Sequence, residues 1–199
     1  PATLSGVSEA IAILKLSSGR PQELKVWALQ DGDQVKPWET VMHIVGDYAH
    51  FAHLETVYLG VLTRRTSVAT AVQEVVEAAK DKPVLFFAAR FDHFTLQPGD
   101  GYAALVEGVR AVSTDANGAW WGGEGVGTIP HGLNAAYGAN TVNAAIAFDR
   151  WIPRSIQRIV LVDFENDCVR TSLEVAQALG KKLWGVRLDT ARELWDRSI

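Results

Sequence analysis

Three apolar segments separated by helical patterns restrict the fold of this chain more than any other feature of its sequence. The segments are PVLFFAAR (83–90), RIVLVDFEND (158–167) and KLWGVRLDT (182–190). Apolar runs of this length, bounded by proline or charged residues, are typical of strands that are covered on both faces. We therefore predict a parallel α/β domain from about residue 83 onward, built either as a barrel or as an open doubly wound sheet.

Helical patterns precede and connect these segments. NTVNAAIAFDRW (140–151) and DCVRTSLEVAQALG (167–180) have apolar residues at helical spacing, and the closing glycine ends the second helix. Residues 49–80 show the same spacing, and we predict two helices there with a break between Arg64 and Ser67.

The first eighty residues predict a separate mixed domain. SEAIAILKL (8–16) is typical of a short amphipathic helix, with Ser8 as its N-cap. Residues 23–48 alternate apolar and polar positions around a DGD turn, which predicts a hairpin-rich sheet. The predicted domains are thus a mixed helix and hairpin domain at 1–80 and part of an α/β barrel at 81–199.

Composition excludes several classes of partner. The 199 residues carry a net charge of −4, and no run of Lys and Arg is long enough to attract nucleic acid or an anionic membrane. The single cysteine, Cys168, cannot form an internal disulfide, and no zinc-type spacing surrounds it. With neither a signal-peptide pattern nor an apolar run long enough to span a bilayer, we expect a soluble cytoplasmic protein.

Ionisable residues follow each apolar segment. They are Arg90, Asp92 and His93 after the first, Asp163, Glu165 and Asp167 in the second, and Arg187 and Asp189 in the third. Parallel α/β proteins bind ligands beyond the carboxyl ends of their strands, so these residues are site candidates. The arginines would clamp a carboxylate or phosphate, while Asp163 and Asp189 would hold Mg²⁺, sugar hydroxyls or the arginines themselves. Ion pairing without any ligand is the ordinary alternative.

The stretch GVGTIPHGL (125–133) combines features of a helix start. Thr128 suits an N-cap, Pro130 suits a first helical turn, and the glycines permit close approach of an anion to free N–H groups. A helix N-terminus disfavours an imidazolium, so we expect His131 to be neutral and able to act as a base or nucleophile. The alternative is a hydrogen-bonded histidine of the core.

Two weaker groups have alternatives of equal or greater weight. His50, His53 and Glu55 have nearly the spacing of metal ligands, but a polar helix edge is the more ordinary interpretation. Trp120 and Trp121 would form an aromatic platform for a flat ring, or would simply pack in a turn. Phosphate-loop, dinucleotide, serine hydrolase and dithiol motifs are absent from the sequence.

Five stretches in register make the sequence resemble the nicotinate phosphoribosyltransferases. They are GDYAHFAHLETVYLGVLTRRTSVAT (46–70), ARFDH (89–93), GVGTIPHGL (125–133), IVLVDFEND (159–167) and GVRLDT (185–190). The resemblance implies a type II phosphoribosyltransferase, with an N-terminal mixed α+β domain followed by part of an incomplete, TIM-like α/β barrel. It implies the joining of nicotinate to phosphoribosyl pyrophosphate with loss of pyrophosphate, accompanied by Mg²⁺ and commonly coupled to ATP hydrolysis.

The resemblance also implies roles for individual residues. We expect His131, Asp163 and Asp189 to be catalytic, and Arg90, His93, Thr128 and Arg187 to bind substrate. Arg90 matches the arginine that faces the nicotinate carboxylate, although Phe91 stands where relatives often have a second arginine. His131 matches the histidine that ATP-coupled members phosphorylate. Arg187 and Asp189 match a strand end near the ribose and phosphates.

A departure from the family at the end of the chain and two alternative functions leave other interpretations open. Relatives normally continue past RLDT with further strands and a Gly-rich phosphate loop, so we expect the chain to be a fragment or to work with a second polypeptide. Quinolinate phosphoribosyltransferase is the near alternative, less favoured because a diacid requires a denser set of cations. The second alternative is a non-catalytic homologue that binds a partner. The expected partners are the two substrates and further copies of the chain, as a dimer or homo-oligomer.

Overall fold

The computed structural model describes residues 1–88 and 90–198. Contacts divide the chain into two compact units, Pro1–Val126 and Gly127–Ile199. In the described residues, no helix combines the length and the apolar character that crossing a membrane requires.

The first unit contains four α-helices and six strands among its described residues. Its helices are α1 (Val7–Ser17), α2 (Glu55–Ala79), α3 (Gln97–Val106) and α4 (Asp115–Gly118), with 3₁₀ turns at Pro21–Glu23, Tyr48–His50, Ala52–Leu54 and Phe94–Leu96. Its strands are β1 (Ala2–Thr3), β2 (Lys25–Ala28), β3 (Gln34–Val35), β4 (Met42–Val45), β5 (Leu85–Phe86) and β6 (Ala111–Val112).

Antiparallel pairs build the N-terminal part of this unit. Strand β2 pairs with β4 in the register Lys25↔Val45, and β1 pairs with β3. The alternation of residues 23–48 therefore predicted the antiparallel sheet correctly. The connection between β2 and β4 is longer than a tight hairpin because it contains β3, which pairs with the start of the chain.

The N-terminus of α1 is capped from a distant turn. The carboxylate of Asp31 accepts hydrogen bonds from the backbone N–H groups of Val7, at 2.7 Å, and Ser8, at 3.2 Å. Gly6 precedes the helix with φ of 90°, a left-handed conformation that favours glycine. The prediction that Ser8 is the N-cap is wrong, because Ser8 already lies inside the helix and receives its cap from Asp31.

Helix α2 is continuous through the position of the predicted break. It runs for 25 residues, and Arg65 within it is buried, where its guanidinium donates to Asp100 and to Glu9. The Thr66 hydroxyl accepts from the backbone N–H of Ser5. These tertiary contacts hold the RRTS segment in the helix, so the prediction of two helices is wrong.

Strands β5 and β6 are parallel and pair in the register Leu85↔Ala111. The prediction of a strand in PVLFFAAR is confirmed, but the prediction that both its faces are covered is wrong, since Leu85 is 40% exposed. Only one edge of β5 is paired in the part of the chain that the structure describes. On its covered side, Phe86 packs against a cluster that includes Val72 of α2 and Ala104 of α3.

This packing joins α2 to β5 across the predicted domain boundary between residues 80 and 81. The compact units, which are defined by contacts, divide instead between Val126 and Gly127. A contact-defined unit is not by itself an independently folding domain, so the boundary at residue 80 stays a prediction.

The second unit has the predicted alternation of strands and helices. Its elements are α5 (His131–Ala136), α6 (Thr141–Trp151), β7 (Arg158–Leu161), α7 (Cys168–Leu179), a 3₁₀ turn at Gly180–Lys182, and β8 (Leu183–Arg187). Strands β7 and β8 are parallel, and every residue of β7 is buried. Val160 and Val162 form a core with Val175 of α7 and Ala145 of α6. The βαβ order predicted from the apolar runs is confirmed here.

A buried arginine organises the end of this unit at which β7 begins. Arg158 is 5% exposed, and its guanidinium donates to the carboxylate of Asp149 and to the main-chain carbonyl groups of Asp149, Ile152, Pro153 and Ile156. All of its donor nitrogens thus have acceptors, as a buried guanidinium requires.

We predict that Asp31→Ala lowers the free energy of unfolding by about 1 kcal/mol, the usual cost of a lost N-cap. Two N–H groups at the start of α1 lose their acceptor in this variant. Urea denaturation followed by circular dichroism measures the change. Ser8→Ala is the matched control and should shift the free energy of unfolding by less than about 0.5 kcal/mol. A larger loss in Ser8→Ala than in Asp31→Ala would contradict the assignment.

Candidate active site

Register brings two acidic residues together at the carboxyl ends of β7 and β8. Leu161 pairs with Arg187, and a further hydrogen bond of 3.1 Å runs from the Val162 N–H to the Arg187 carbonyl. Asp163 lies two residues after Leu161, and Asp189 lies two residues after Arg187. The Asp189 N–H donates to Asp163 Oδ2 at 2.8 Å, so the two residues are direct neighbours.

The carboxylate of Asp163 is buried and held on one side only. Its side chain is 2% exposed, and Oδ2 accepts from the Asp189 N–H and from the Thr190 hydroxyl, the latter at 2.9 Å. Its other oxygen, Oδ1, is buried and has no hydrogen-bond partner among the residues that the structure describes. His131 Nε2 lies 3.5 Å from Oδ1. A buried carboxylate oxygen without a hydrogen bond is costly, so Asp163 stays a candidate site residue.

His131 is the first residue of α5 and faces both acidic residues. Its Nε2 lies 3.5 Å from Asp163 Oδ1, and its Nδ1 lies 4.0 Å from Asp189 Oδ2. The ring of Phe164 is 6.0 Å from the imidazole ring, measured between centroids. Because the side chain is 42% exposed, the alternative of a buried core histidine is wrong. The imidazole stands between two carboxylates at the strand ends.

Arg187 connects the strand end to the GVGTIPHGL loop. Its Nη2 lies 2.6 Å from Asp189 Oδ2, and its Nη1 donates to the Thr128 hydroxyl at 2.6 Å. The prediction that Thr128 caps the helix is wrong, because Pro130 is the N-cap residue of α5 and no side chain caps it. Thr128 instead accepts the hydrogen bond from Arg187. These contacts place Thr128, Arg187 and Asp189 in one group with His131.

Glu165 and Asp167 stabilise helices rather than the site. Glu165 accepts a hydrogen bond of 3.0 Å from the Thr141 N–H at the start of α6 and pairs with Arg170. Burial raises the pKa of Glu165, but the hydrogen bonds from Thr141 and Arg170 outweigh it and hold that pKa below its ordinary value. Asp167 is the N-cap of α7 and accepts from the Arg170 N–H.

The candidates after the first apolar segment belong to the other compact unit. Arg90 is exposed. Asp92 forms an ion pair with Arg64 of α2, and His93 Nδ1 lies 2.8 Å from the Thr95 hydroxyl. The prediction that Arg90 and His93 bind substrate beside Asp163 and Asp189 stays a prediction.

The weaker groups have structural partners. His50 Nε2 lies 3.6 Å from Glu23, His53 Nε2 lies 3.3 Å from the Ser17 carbonyl oxygen, and Glu55 accepts from the Tyr48 hydroxyl. Over residues 1–88 and 90–198, no three His, Cys, Asp or Glu side chains form a group that could hold a metal ion.

Trp120 packs in the first unit. Its ring lies 5.9 Å from that of Tyr102, and the guanidinium of Arg65 lies 5.7 Å from its centroid. Packing of this kind is the ordinary alternative that the sequence offered for this residue.

Thr190 is the site residue that sequence reasoning did not single out. Its hydroxyl donates to Asp163 Oδ2, although the two residues are 27 positions apart in the sequence. The sequence did contain a signal for this role, because Thr190 directly follows Asp189 in GVRLDT. A hydroxyl at the end of one parallel strand can reach a carboxylate at the end of the neighbouring strand.

Comparison with known proteins identifies the architecture. Residues 1–67 match the family model described as quinolinate phosphoribosyl transferase, N-terminal domain. The crystal structure of a nicotinate-nucleotide pyrophosphorylase from Pyrococcus furiosus superposes with a TM-score of 0.85 at 39% identity, over 96% of this chain and 47% of that one. The fold is that of the quinolinate and nicotinate phosphoribosyltransferases.

Two further relatives extend the likeness to the nicotinate enzymes. A nicotinate phosphoribosyltransferase of Mycobacterium tuberculosis is 28% identical over 181 residues, which cover 84% of this chain and 40% of the relative. Human nicotinic acid phosphoribosyltransferase shares the fold, with a TM-score of 0.75 at 18% identity over 96% of this chain and 54% of that one. The chain spans about half the length, or less, of the relatives it matches.

These likenesses confirm the predicted fold class, a mixed α+β domain followed by part of an incomplete α/β barrel. They support the predicted family without separating its nicotinate members from its quinolinate members.

We predict that Glu165→Gln makes the protein less stable at neutral pH and that the difference narrows in acid. The pKa of Glu165 is lowered in the folded state, so its contribution is complete above the unfolded value of about 4.3 and is lost as pH falls through the folded value. Thermal denaturation between neutral and acidic pH measures the difference.

Glu174→Gln is the matched control for this prediction. Glu174 pairs with the same Arg170 on the exposed face of α7, where an ion pair adds little stability. A stability difference for Glu165→Gln that stays constant over the acid range would contradict the prediction.

Proposed function

We propose that this chain is the part of a phosphoribosyltransferase of NAD biosynthesis that joins nicotinate to phosphoribosyl pyrophosphate, giving nicotinate mononucleotide and pyrophosphate. The observation that carries the proposal is the group of His131, Asp163, Arg187 and Asp189 at adjoining strand ends. Its setting supports the proposal, since the fold is shared with phosphoribosyltransferases.

The charges of the site suit displacement at a sugar carbon. Such a reaction develops positive charge at C1 of the ribose, which carboxylates such as Asp163 and Asp189 stabilise when they are fixed beforehand. Asp163 is fixed by two hydrogen bonds and Asp189 by Arg187. Holding the two substrates in line contributes further to the rate acceleration.

Mg²⁺ is the cofactor that we propose. It prefers oxygen ligands and commonly binds one or two carboxylates together with substrate phosphates, rather than a complete set of protein ligands. The unpaired Oδ1 of Asp163 and the half-exposed carboxylate of Asp189 fit that kind of partial site. When bound, the ion would neutralise charge on the phosphates of the sugar substrate.

Nicotinate is favoured over quinolinate because a diacid requires a denser set of Arg and Lys than ARFDH (89–93) and GVGTIPHGL (125–133) provide, and because Arg187 and Arg64 already have acidic partners. The Arg187 guanidinium is shared between Thr128 and Asp189, and Arg64 pairs with Asp92 and Asp100. Arg90 is the arginine that we assign to the substrate carboxylate, because the resemblance matches it to the arginine that faces nicotinate in the family. Quinolinate is the second candidate substrate, supported by the match of residues 1–67 to the quinolinate family model.

We propose a homo-oligomeric enzyme, and the single cysteine favours a location in the cytoplasm. ATP is a further proposed ligand, because His131 is partly exposed and carries an imidazole that can accept a phosphoryl group. Asp163 and Asp189, at either side of the ring, would orient it for that role.

We predict that the full-length protein forms a mononucleotide from nicotinate and phosphoribosyl pyrophosphate and does not act on quinolinate. Chromatography of the products formed with each acid in turn measures this substrate preference.

Arg90→Ala should weaken nicotinate binding by about 2–5 kcal/mol if the pair with the carboxylate is desolvated.

Arg110→Ala is the matched control, since Arg110 is an exposed arginine of the same unit. Turnover of quinolinate with release of carbon dioxide would reject the nicotinate assignment. Normal nicotinate affinity in Arg90→Ala would remove the role of Arg90 alone.

We predict that His131→Asn folds normally and loses all stimulation by ATP. The asparagine amide keeps hydrogen-bonding capacity near Asp163 but cannot accept a phosphoryl group. Initial rates with and without ATP, together with the melting temperature, measure both properties. A variant that keeps ATP-stimulated turnover would contradict the assignment of His131.

A further inference from the structure

A surface pocket lies at the end of the second unit at which β7 begins, opposite the strand ends of the candidate active site. Its volume of about 1000 Å³ is typical of sites for small molecules, and its lining comes from the end of α6, the loop after it, and the start of β8. We propose that this pocket binds a nucleoside diphosphate, with cationic side chains around the phosphates and a tryptophan against the base. The proposal does not depend on the proposed function.

The charged residues that line the pocket are mostly cationic. The cations are Arg150, Arg154, Arg158 and Lys182. Asp149 is the one acidic residue among the described residues of the lining. Four cations and one anion leave an excess of three positive charges, in a chain whose net charge is −4. Such a local excess attracts anions, and a nucleoside diphosphate carries about three negative charges at neutral pH. The charges of the pocket and of the ligand therefore match.

Arg158 prepares the pocket for an anion. Its buried guanidinium donates to the carbonyl groups of Asp149 and Ile152 at the C-terminal end of α6, an end that would otherwise repel negative charge. The same guanidinium donates to the Asp149 carboxylate at 3.1 Å, and Lys182 Nζ donates to the other oxygen of that carboxylate at 2.6 Å. The acidic residue of the lining is thus compensated by two cations.

Arg150 and Arg154 are available to bind the phosphates. Both are exposed, and neither forms an ion pair within the part of the chain that the structure describes. The Arg150 guanidinium lies 5.0 Å from the centroid of the Trp151 ring. An arginine held against a ring keeps N–H donors for a phosphate and loses less freedom when it binds one. Lys182, whose side chain is 67% exposed, is a further donor.

The loop that carries Arg154 does not depend on this side chain for its conformation. Arg158 holds the loop through the main-chain carbonyl groups of Ile152, Pro153 and Ile156. The fold therefore requires the path of the loop but not a cation at position 154. We attribute the cationic lining to this particular sequence rather than to the fold that it shares with its relatives.

Trp184 provides the surface for the base. The residue is 65% exposed, and over residues 1–88 and 90–198 its ring has neither an aromatic nor a cationic partner. Trp151 differs, because Arg150 already lies near its ring. An exposed aromatic ring beside cationic side chains is a common platform for a nucleotide base, since stacking adds affinity with every base. This feature favours a nucleotide over an inorganic anion.

The length of β8 separates the pocket from the candidate active site. Trp184 and Arg187 are three residues apart in this strand, which corresponds to about 10 Å, and Asp189 lies further along the chain. The phosphate donors Arg150 and Arg154 precede the start of β7, whereas Asp163 follows its end. A nucleotide in the pocket would therefore occupy a site apart from the proposed substrates.

Isothermal titration calorimetry of the full-length protein with ADP, in a buffer without phosphate or divalent metal ions, measures the binding. We expect Arg150→Ala to weaken ADP binding about tenfold, the effect of one hydrogen bond between charged groups. Trp184→Ala should weaken it about fivefold or more, through loss of stacking. Both residues are exposed, so the melting temperatures should stay nearly unchanged. Adenosine and inorganic phosphate should each bind at least about tenfold more weakly than ADP.

Three variants are the matched controls. Lys181→Ala removes an exposed cation that is adjacent to Lys182 but outside the lining, and Trp195→Ala removes an exposed tryptophan of the same unit. Arg187→Ala alters the candidate active site at the other end of β8. All three should leave the ADP affinity of the pocket unchanged.

Fluorine NMR of protein labelled with fluorotryptophan locates the ligand. Trp184→Phe and Trp195→Phe assign the two signals by their disappearance. We expect ADP to shift the Trp184 signal and to leave the Trp195 signal in place.

Several results would overturn the proposal. One is the absence of ADP binding to the unaltered protein. Another is ADP affinity that is lost in Arg187→Ala but kept in Arg150→Ala, because the nucleotide would then bind at the candidate active site. A third is inorganic phosphate that binds as tightly as ADP, since the base would then contribute nothing. Absence of turnover would reject the proposed function and leave this binding test unaffected.

Discussion

The parallel pairing of β7 with β8 determines the geometry of the candidate site. Leu161 stands opposite Arg187, and the hydrogen bond from Val162 to the Arg187 carbonyl fixes the point at which both strands end. A shift of one residue would turn every following side chain to the other face. The contacts of Asp163 with Asp189 and Thr190 depend on this register, and His131 lies beside both carboxylates.

The strand ends were predictable because each strand lies in an apolar run of the sequence. Only β7 is buried throughout, whereas Trp184 and Val186 of β8 are exposed, so the prediction that β8 is covered on both faces is wrong. RIVLVDFEND gave both the strand β7 and the position of Asp163, and KLWGVRLDT gave β8 with Arg187 and Asp189. The apolar runs do not predict which group each acidic residue forms a hydrogen bond with. Glu165 and Asp167 have the same spacing and chemistry as Asp163, yet they bond helix N-termini, and only the three-dimensional path of the chain separates these roles.

In helix α2, by contrast, local sequence preferences led to a wrong prediction, because the helix is continuous where a break was expected. The RRTS segment lacks strong helix formers at two of its four positions, which suggested a break. Its arginines pair with acidic residues far away in the sequence, and the Thr66 hydroxyl bonds the backbone of Ser5. The same limitation explains the cap of α1, which comes from Asp31 rather than from the adjacent Ser8. Interactions between distant residues override weak local preferences and cannot be read from a window of neighbours.

The environment of Arg158 has a consequence for how this sequence can diverge. Four of its acceptors are main-chain carbonyl groups, which every amino acid supplies, and three of these lie between Ile152 and Ile156. The side chains of that loop are therefore open to substitution, whereas its length and backbone path are not. Homologues should conserve the arginine and the number of residues before it, while the residues themselves drift.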